Sequence, residues 1–261
     1  MSTSTTRATL DVPDAPAFDS PEDERRHRKQ QLAAALRIFG RLGYDEGVAG
    51  HITVRDPEFP QMFWCNPFGV SFGRISVKDL VLVDEDGSVV EGTRAVNRGA
   101  FVIHSAIHRR RPDVVAAAHA HSINGRALAA LGSPLRPVVQ EACAFFEDQA
   151  VYSEYNGLAL EEEEGERMAA ALGEHRAVAL ANHGIITVGG SLEEAAYWFI
   201  SFDRAAQVQL LAEAAGTPAY LSDADARTAH RQFGSPSLAR FSFQILWDDI
   251  VHAQPDLLDE K

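Results

Sequence analysis

The chain has 261 residues, 46% of them apolar, enough for one substantial core or at most two small ones. Asp and Glu number 37 against 24 Lys and Arg, a formal net charge of -13. An acidic surface repels phosphate backbones, which argues against nucleic acid, and the run Arg109-Arg110-Arg111 is too short to reverse that.

Residues 1–20, rich in Ser, Thr, Pro and Asp, read as a disordered tail without the apolar stretch of a signal peptide. Ser20-Pro21 then caps a helix in which Leu32, Leu36 and Phe39 recur at helical spacing, and Gly43 ends it. Alternation predicts a strand at His51–Arg55 and a second at Phe63–Cys65, followed by an Asn66-Pro67-Phe68-Gly69 turn. Leu80–Val83 and Val89–Glu91 flank Asp86-Gly87, the signature of a hairpin. A helix follows from about Ala100 to Arg110, stopped by Arg111-Pro112. Val114 to His121 reads as a buried strand and Ile123 to Leu131 as a helix closed by Gly132. Residues 165–172 form another helix, with the acidic run Glu161 to Glu164 at its positive end. Two strands, Ala177–Ala181 and Ile185–Val188, bracket Asn182-His183-Gly184. A long helix runs from Ser191, with Glu194 completing a capping box, to Ala215. Beyond Gly216 the pattern weakens. Residues 21–216 are thus read as one metal-binding domain and 217–261 as a C-terminal arm packed on it or on a neighbouring subunit.

No apolar stretch is long enough to span a bilayer. Two cysteines far apart, Cys65 and Cys143, make no disulfide framework, so a reducing cytoplasm fits.

The chemistry concentrates in histidines. His119 and His121 stand two apart on a predicted strand, so both imidazoles leave the same face, which is the geometry two ligands on one cation require. His183, in a tight turn between strands, is placed to complete a three-histidine set with coordination positions left open, as a catalytic metal needs. On local pattern alone HxH also arises by chance. Of the other histidines, His27, His175, His230 and His252 are read as surface residues. His104 packs near or behind the site, and His108 is solvated.

These pieces, in this order, resemble the class II aldolase/adducin family. The resemblance covers about residues 28–216 and rests on Gly50-His51-Ile52-Thr53-Val54-Arg55, Asn66-Pro67-Phe68-Gly69, Arg111-Pro112-Asp113-Val114, His119-Ala120-His121, and Asn182-His183-Gly184 with the long helix after Ser191. It implies a three-layer α/β/α fold with a mostly antiparallel sheet, a homotetramer with sites at subunit interfaces, and zinc on the positions matching His119, His121 and His183.

The departures are informative. Where a sugar-phosphate aldolase of this family carries Ser-Ser-Glu, with the Glu as acid/base, this chain has Arg98-Gly99-Ala100. The family's Gly-Asn phosphate turn reads Gly50-His51, and its Thr-Gly turn reads Phe68-Gly69, which has no hydroxyl for phosphate. A phosphorylated sugar is therefore disfavoured, although Arg98 can meet one anionic group. His51, Asn66, Phe68, Arg98 and Phe145 are the candidate substrate contacts. Trp64, Phe68, Phe72, Phe145 and Phe146 either line an apolar pocket or belong to the core, and for Trp64 and Phe145 the core is an equal alternative. The tyrosine that such aldolases borrow from an adjacent subunit aligns with Glu141, a candidate acid/base whose alternative is a surface ion pair.

A subgroup is closer: the Asp45-Glu46-Gly47 turn, Trp64 to Gly69 and Val96-Asn97 are similar to the decarboxylating oxygenases of aminocoumarin antibiotic pathways. That likeness implies non-haem Fe(II) and O2 acting on an aryl 2-oxo acid, taking prenylated 4-hydroxyphenylpyruvate through the mandelate to the 4-hydroxybenzoate. Three imidazoles suit Fe(II) and Zn(II) alike, so a Zn(II) aldolase or decarboxylase on an unphosphorylated substrate is the alternative. An adducin-like interaction module ranks last, because all three histidines are kept.

Overall fold

The computed structural model describes residues 12–260. Most of the expected tail, residues 1–11, lies outside the described residues. Within 12–20 the chain is irregular, and Phe18 packs its ring 5.0 Å from that of His27.

Helix α1 spans Pro21–Arg41, with Ser20 accepting from the Asp23 amide at its N-cap. Strands β1 (His51–Arg55), β2 (Phe63–Cys65), β3 (Val81–Val83) and β4 (Val89–Glu91) follow. Then come α2 (Arg98–Arg110), β5 (Ala116–Ala120), α3 (Ile123–Ala130), β6 (Gln149–Tyr152) and α4 (Glu162–Leu172). Strands β7 (Ala177–Leu180) and β8 (Gly184–Gly189) lead into α5 (Leu192–Ala215), α6 (Asp223–Phe233) and α7 (Pro236–Ala253).

The eight strands form one sheet in the order β4-β3-β2-β1-β5-β8-β7-β6. Alternation along the strands builds two cores. Ile52, Val54, Ala116, Ala118 and Ala120 face one way, into a core with Leu32, Leu36 and Phe39 of α1, Phe199 and Phe202 of α5, and Phe243 of α7. Ala117, Val178, Ile186 and Val188 face the other way, against Ile103 and Ile107 of α2 and Met168 and Leu172 of α4. Helices therefore cover both faces, which makes three layers.

The expected mostly antiparallel sheet is corrected to a mixed one. Six pairings are antiparallel, but β6 runs parallel to β7. A parallel pair needs a crossover, and α4 between β6 and β7 provides it. The capping box at Ser191 is also only half formed. Ser191 accepts from the Glu194 amide, whereas the Glu194 carboxylate turns to the Gly190 amide and to Arg240 of α7. The C-terminal arm is two helices. Helix α7 buries Ala239, Phe243 and Ile250 in the same core as α1 and α5. No helix of the described residues is long and apolar enough to cross a membrane, and both cysteines are free and buried.

Candidate metal centre

Three elements bring the three histidines together. His119 is the fourth residue of β5, and His121 follows the strand's end by one residue. The strand holds its place because its backbone pairs antiparallel with β1 on one edge and β8 on the other. His183 lies in the three-residue link between β7 and β8, where Asn182 takes a positive φ of 59°. Asn tolerates that left-handed geometry better than most residues. Gly184 begins β8 without a side chain, and a Cβ there would stand 3.3 Å from His119 Cε1. Gly50, at φ 90°, is equally constrained: a Cβ would meet the His119 carbonyl oxygen at 3.3 Å.

The ring centroids are 5.2 Å apart for His119–His121, 4.8 Å for His119–His183 and 5.2 Å for His121–His183. One ligand nitrogen from each lies within 4.8 Å of the others. Two nitrogens at about 2.1 Å from one ion can be no more than about 4.2 Å apart, so binding would draw the rings slightly together. His119 Nδ1 is 2.8 Å from the Ile185 carbonyl oxygen. A carbonyl only accepts, so Nδ1 carries the proton and Nε2 is left bare as a ligand. Burial lowers the proton affinity of all three rings, with His183 brought to about 4. At neutral pH they are uncharged, the form that binds a cation. His119 is buried, and His121 and His183 are half-buried, so one side of the cluster is open. No carboxylate or thiol joins the group among the described residues. The donor set fits a divalent first-row metal.

The other expected site residues fare unequally. His51 sits opposite His119 in the β1–β5 register, its ring 5.0 Å away, and belongs to the centre's surroundings. Asn66 is buried, and its amide is used on backbone: Oδ1 accepts from Ile52 N at 3.1 Å and Nδ2 reaches the Gly50 carbonyl at 3.5 Å. It pins the segment that carries His51. Phe68 is 43% exposed and lines a small cleft with Gly50 and Asn97. Arg98 is exposed at the start of α2 and donates to the Leu160 carbonyl. Phe145 is corrected: it is fully buried, stacked edge-on against Phe202 and Trp198, and is a core residue. Trp64 and Phe72 are buried in the same core, and Phe146 packs beside Cys143 and α6. Glu141 is exposed, held by Gln140 in its own chain.

His108 is corrected as well. It is 4% exposed, not solvated, with Nε2 2.9 Å from Thr53 Oγ1 and its ring stacked on Phe63. The sequence reading missed Thr53 altogether. A signal was present: His51 and Thr53 share one face of a strand, and His104 and His108 share one face of a helix.

Comparisons with known proteins bear on the family and the fold. Residues 30–210 match the model of the Class II Aldolase and Adducin N-terminal domain. The chain is 46% identical over 244 residues to "Decarboxylase NovR" of Streptomyces niveus, covering 93% of this chain and 90% of that protein. It is 45% identical over 244 residues to "4-hydroxy-3-prenylphenylpyruvate oxygenase/4-hydroxy-3-prenylbenzoate synthase" of Streptomyces roseochromogenus subsp. oscitans, covering 93% and 88%. Among solved structures, the L-fuculose 1-phosphate aldolase from Glaciozyma antarctica PI12 superposes with a TM-score of 0.88 at 39% identity, over 94% of this chain and 97% of that one.

Proposed function

The chain belongs to the class II aldolase/adducin family, and from that membership we propose that it is a metal-dependent enzyme performing oxidative decarboxylation of an aryl 2-oxo acid, with His119, His121 and His183 as ligands to Fe(II). The observation that carries this reading is an all-imidazole centre to which no carboxylate contributes a ligand among the described residues, Glu46 near His121 being paired with Arg126. The start of α2, where the family's aldolases place their acid/base, offers Arg98, Gly99 and Ala100. Proton abstraction for aldol chemistry normally needs a placed base, and an oxidative route does not. The Streptomyces roseochromogenus relative supports this class of substrate by its name, and the Streptomyces niveus relative, a decarboxylase by name, supports the loss of CO2.

When bound, Fe(II) supplies the capacity to chelate a 2-oxo carboxylate and to activate O2. The protein's own residues do the rest. Burial keeps the three imidazoles neutral, and the Ile185 carbonyl turns the bare nitrogen of His119 outward. The half-exposed side of the centre admits substrate. Phe68, in the cleft it shares with Gly50 and Asn97, offers an apolar face for an aromatic ring, and Arg98 offers a cation for an anionic group. Glu141 would serve as proton donor or acceptor only across a subunit boundary, in a homotetramer with shared sites.

The test is O2 consumption with 4-hydroxyphenylpyruvate after anaerobic purification and loading with Fe(II) or Zn(II). Uptake confined to the iron form, with CO2 released, is the expected result. Absence of uptake at full iron occupancy would remove the oxygenase reading. A Zn(II) aldolase on an unphosphorylated substrate is the second reading, favoured by the likeness to the Glaciozyma aldolase. Retro-aldol turnover by the zinc form would then establish it.

A further inference from the structure

The Asp45-Glu46-Gly47 turn stands beside the metal centre. Glu46 Oε2 lies 2.7 Å from Nη2 of Arg126, which α3 carries. Gly184 makes room for that arginine. The point where a Cβ on Gly184 would stand is 3.3 Å from His119 Cε1 and 3.9 Å from Arg126 Cγ. The arginine stem and the His119 ring therefore share the bare floor that this glycine leaves. Beyond the effect of burial, Arg126 and Glu46 are the charges that bear on the His121 ring, in opposite senses.

The two halves of this ion pair are held unequally. Buried Asp203 of α5 fixes the first turn of α3, accepting from the Gly125 amide at 2.9 Å and from Asn124 Nδ2 at 3.0 Å. Arg126 is the next residue, and its own amide donates to the Ser122 carbonyl. Glu46 sits instead on a tight turn with Gly47 at φ 61°, and its side chain is 57% exposed. An ion pair this exposed adds little to stability, so it opens readily. The pairing also leaves the guanidinium half used. Arg25 spans Asp56 with Nε and Nη2 at 2.7 and 3.0 Å, and Arg111 spans Asp113 with the same two nitrogens at 2.8 and 2.7 Å. That two-point fork is the strong way for a guanidinium to hold a carboxylate. On Arg126, Glu46 meets Nη2, while Nε is buried with no acceptor among the described residues. A buried donor without an acceptor is costly, and a better-placed carboxylate would remove that cost.

We propose that Arg126 anchors the carboxylate of the substrate, and that Glu46 holds its place until the substrate displaces it. The incoming carboxylate exchanges the single Glu46 contact for the full Nε–Nη2 fork. The site thus selects an acid over a neutral carbonyl compound of the same shape. The inference rests on the proposed function for the ligand being a 2-oxo acid, and not on iron or on O2.

The experiment is calorimetric titration of the full chain, loaded with redox-inert zinc, with benzoylformate and with its methyl ester. Arg126→Gln should weaken benzoylformate at least about tenfold and leave the ester within about twofold. Glu46→Ala should act in the opposite direction, tightening benzoylformate about two- to fivefold, because a competitor for the guanidinium is gone. A pair with a purely structural role would weaken binding from either side. Arg126→Lys keeps the charge but not the fork, and should restore only part of the loss. In chain labelled with 15N-arginine, the Arg126 Nε–H signal, assigned by its loss in Arg126→Lys, should move downfield with benzoylformate and stay in place with the ester. Undiminished benzoylformate affinity in Arg126→Gln overturns the proposal, as do weaker binding in Glu46→Ala, an unmoved Nε–H signal, or a zinc form with no affinity for benzoylformate. If Arg126→Gln does not fold, the sign of the Glu46→Ala effect and the Nε–H signal decide. An iron form that consumes no O2 would sink the oxygenase reading and leave this proposal standing. O2 uptake by a chain whose benzoylformate binding ignores Arg126 would do the opposite.

Discussion

Two buried polar clusters on the same sheet are built on opposite plans. Around Asp56, just past the end of β1, every acceptor is filled: the carboxylate takes five N–H donors, from Arg25 Nε and Nη2, the amides of Glu58 and Phe59, and Trp64 Nε1. Arg25 is also paired with Glu58, and Lys29 sits 3.9 Å over the Trp64 ring. Around His119, by contrast, three imidazoles converge on one another with no anion among them. In the first arrangement the carboxylate is fully occupied by donors of its own chain. The second is unfinished until a cation arrives. Burial of polar groups thus serves folding where donors and acceptors balance, and points to function where like groups converge unbalanced.

Breaking each cluster separates the two roles. The largest effect belongs to the histidines: His119→Ala or His183→Ala should lower metal affinity at least about 100-fold while leaving the circular dichroism spectrum intact. Metal content after dialysis measures the first, and retained metal would show that the ligand set is wrong. Asp56→Ala should do the reverse, costing about 3 kcal/mol of stability because Trp64 Nε1 and the Glu58 and Phe59 amides lose their acceptor. Urea unfolding measures that loss, and metal stoichiometry should not change.

Acid separates the clusters next. A histidine whose folded proton affinity is lowered is protonated first in the unfolded chain, so its contribution is intact above the ordinary value of 6.5 and is lost as pH falls. For His108 that window runs from 6.5 to about 3 and for His183 from 6.5 to about 4. Each such ring costs up to about 1.4 kcal/mol per pH unit within its window. Asp56, with its carboxyl lowered from 3.8 to about 2, keeps its contribution above 3.8 and loses it only below. Metal-free protein should therefore weaken already between pH 6.5 and 5, and His108→Gln should flatten that slope. Asp56→Asn should lower stability by a constant amount above about pH 4 and change the slope only below it. A flat stability profile from pH 7 to 5 would contradict the neutral, buried state of the rings. The smallest effect is Phe68→Ala. At 43% exposed the side chain should change stability by less than about 0.5 kcal/mol, while KM for an aryl substrate rises.

The sequence was most legible where local chemistry decides the outcome. Ser20 and Ser191 cap their helices as written, Asp86-Gly87 closes its hairpin, and His119 and His121 flank one alanine on β5. It was least legible where a neighbour decides. Strand β6 has only four residues, three of them half-buried, and acquires its direction from the α4 crossover. The C-terminal helices show a weak pattern because Phe241 is exposed while Phe243, two residues on, is buried. His108 reads as a charged-face residue beside Arg109 and Arg110, and only the packing of Phe63 and Thr53 above it takes it out of water. Phe145 and Phe68 look alike as aromatic candidates, yet α5 covers one and the described residues leave the other 43% exposed.

The most direct measurement is X-ray absorption on protein loaded with one equivalent of Fe(II) or Zn(II). The expected result is one tightly held metal per chain, with three imidazole nitrogens at about 2.1 Å and the remaining positions filled by water oxygen that a 2-oxo acid displaces. A fourth protein ligand closing the shell, or binding that survives the removal of His183, would contradict it.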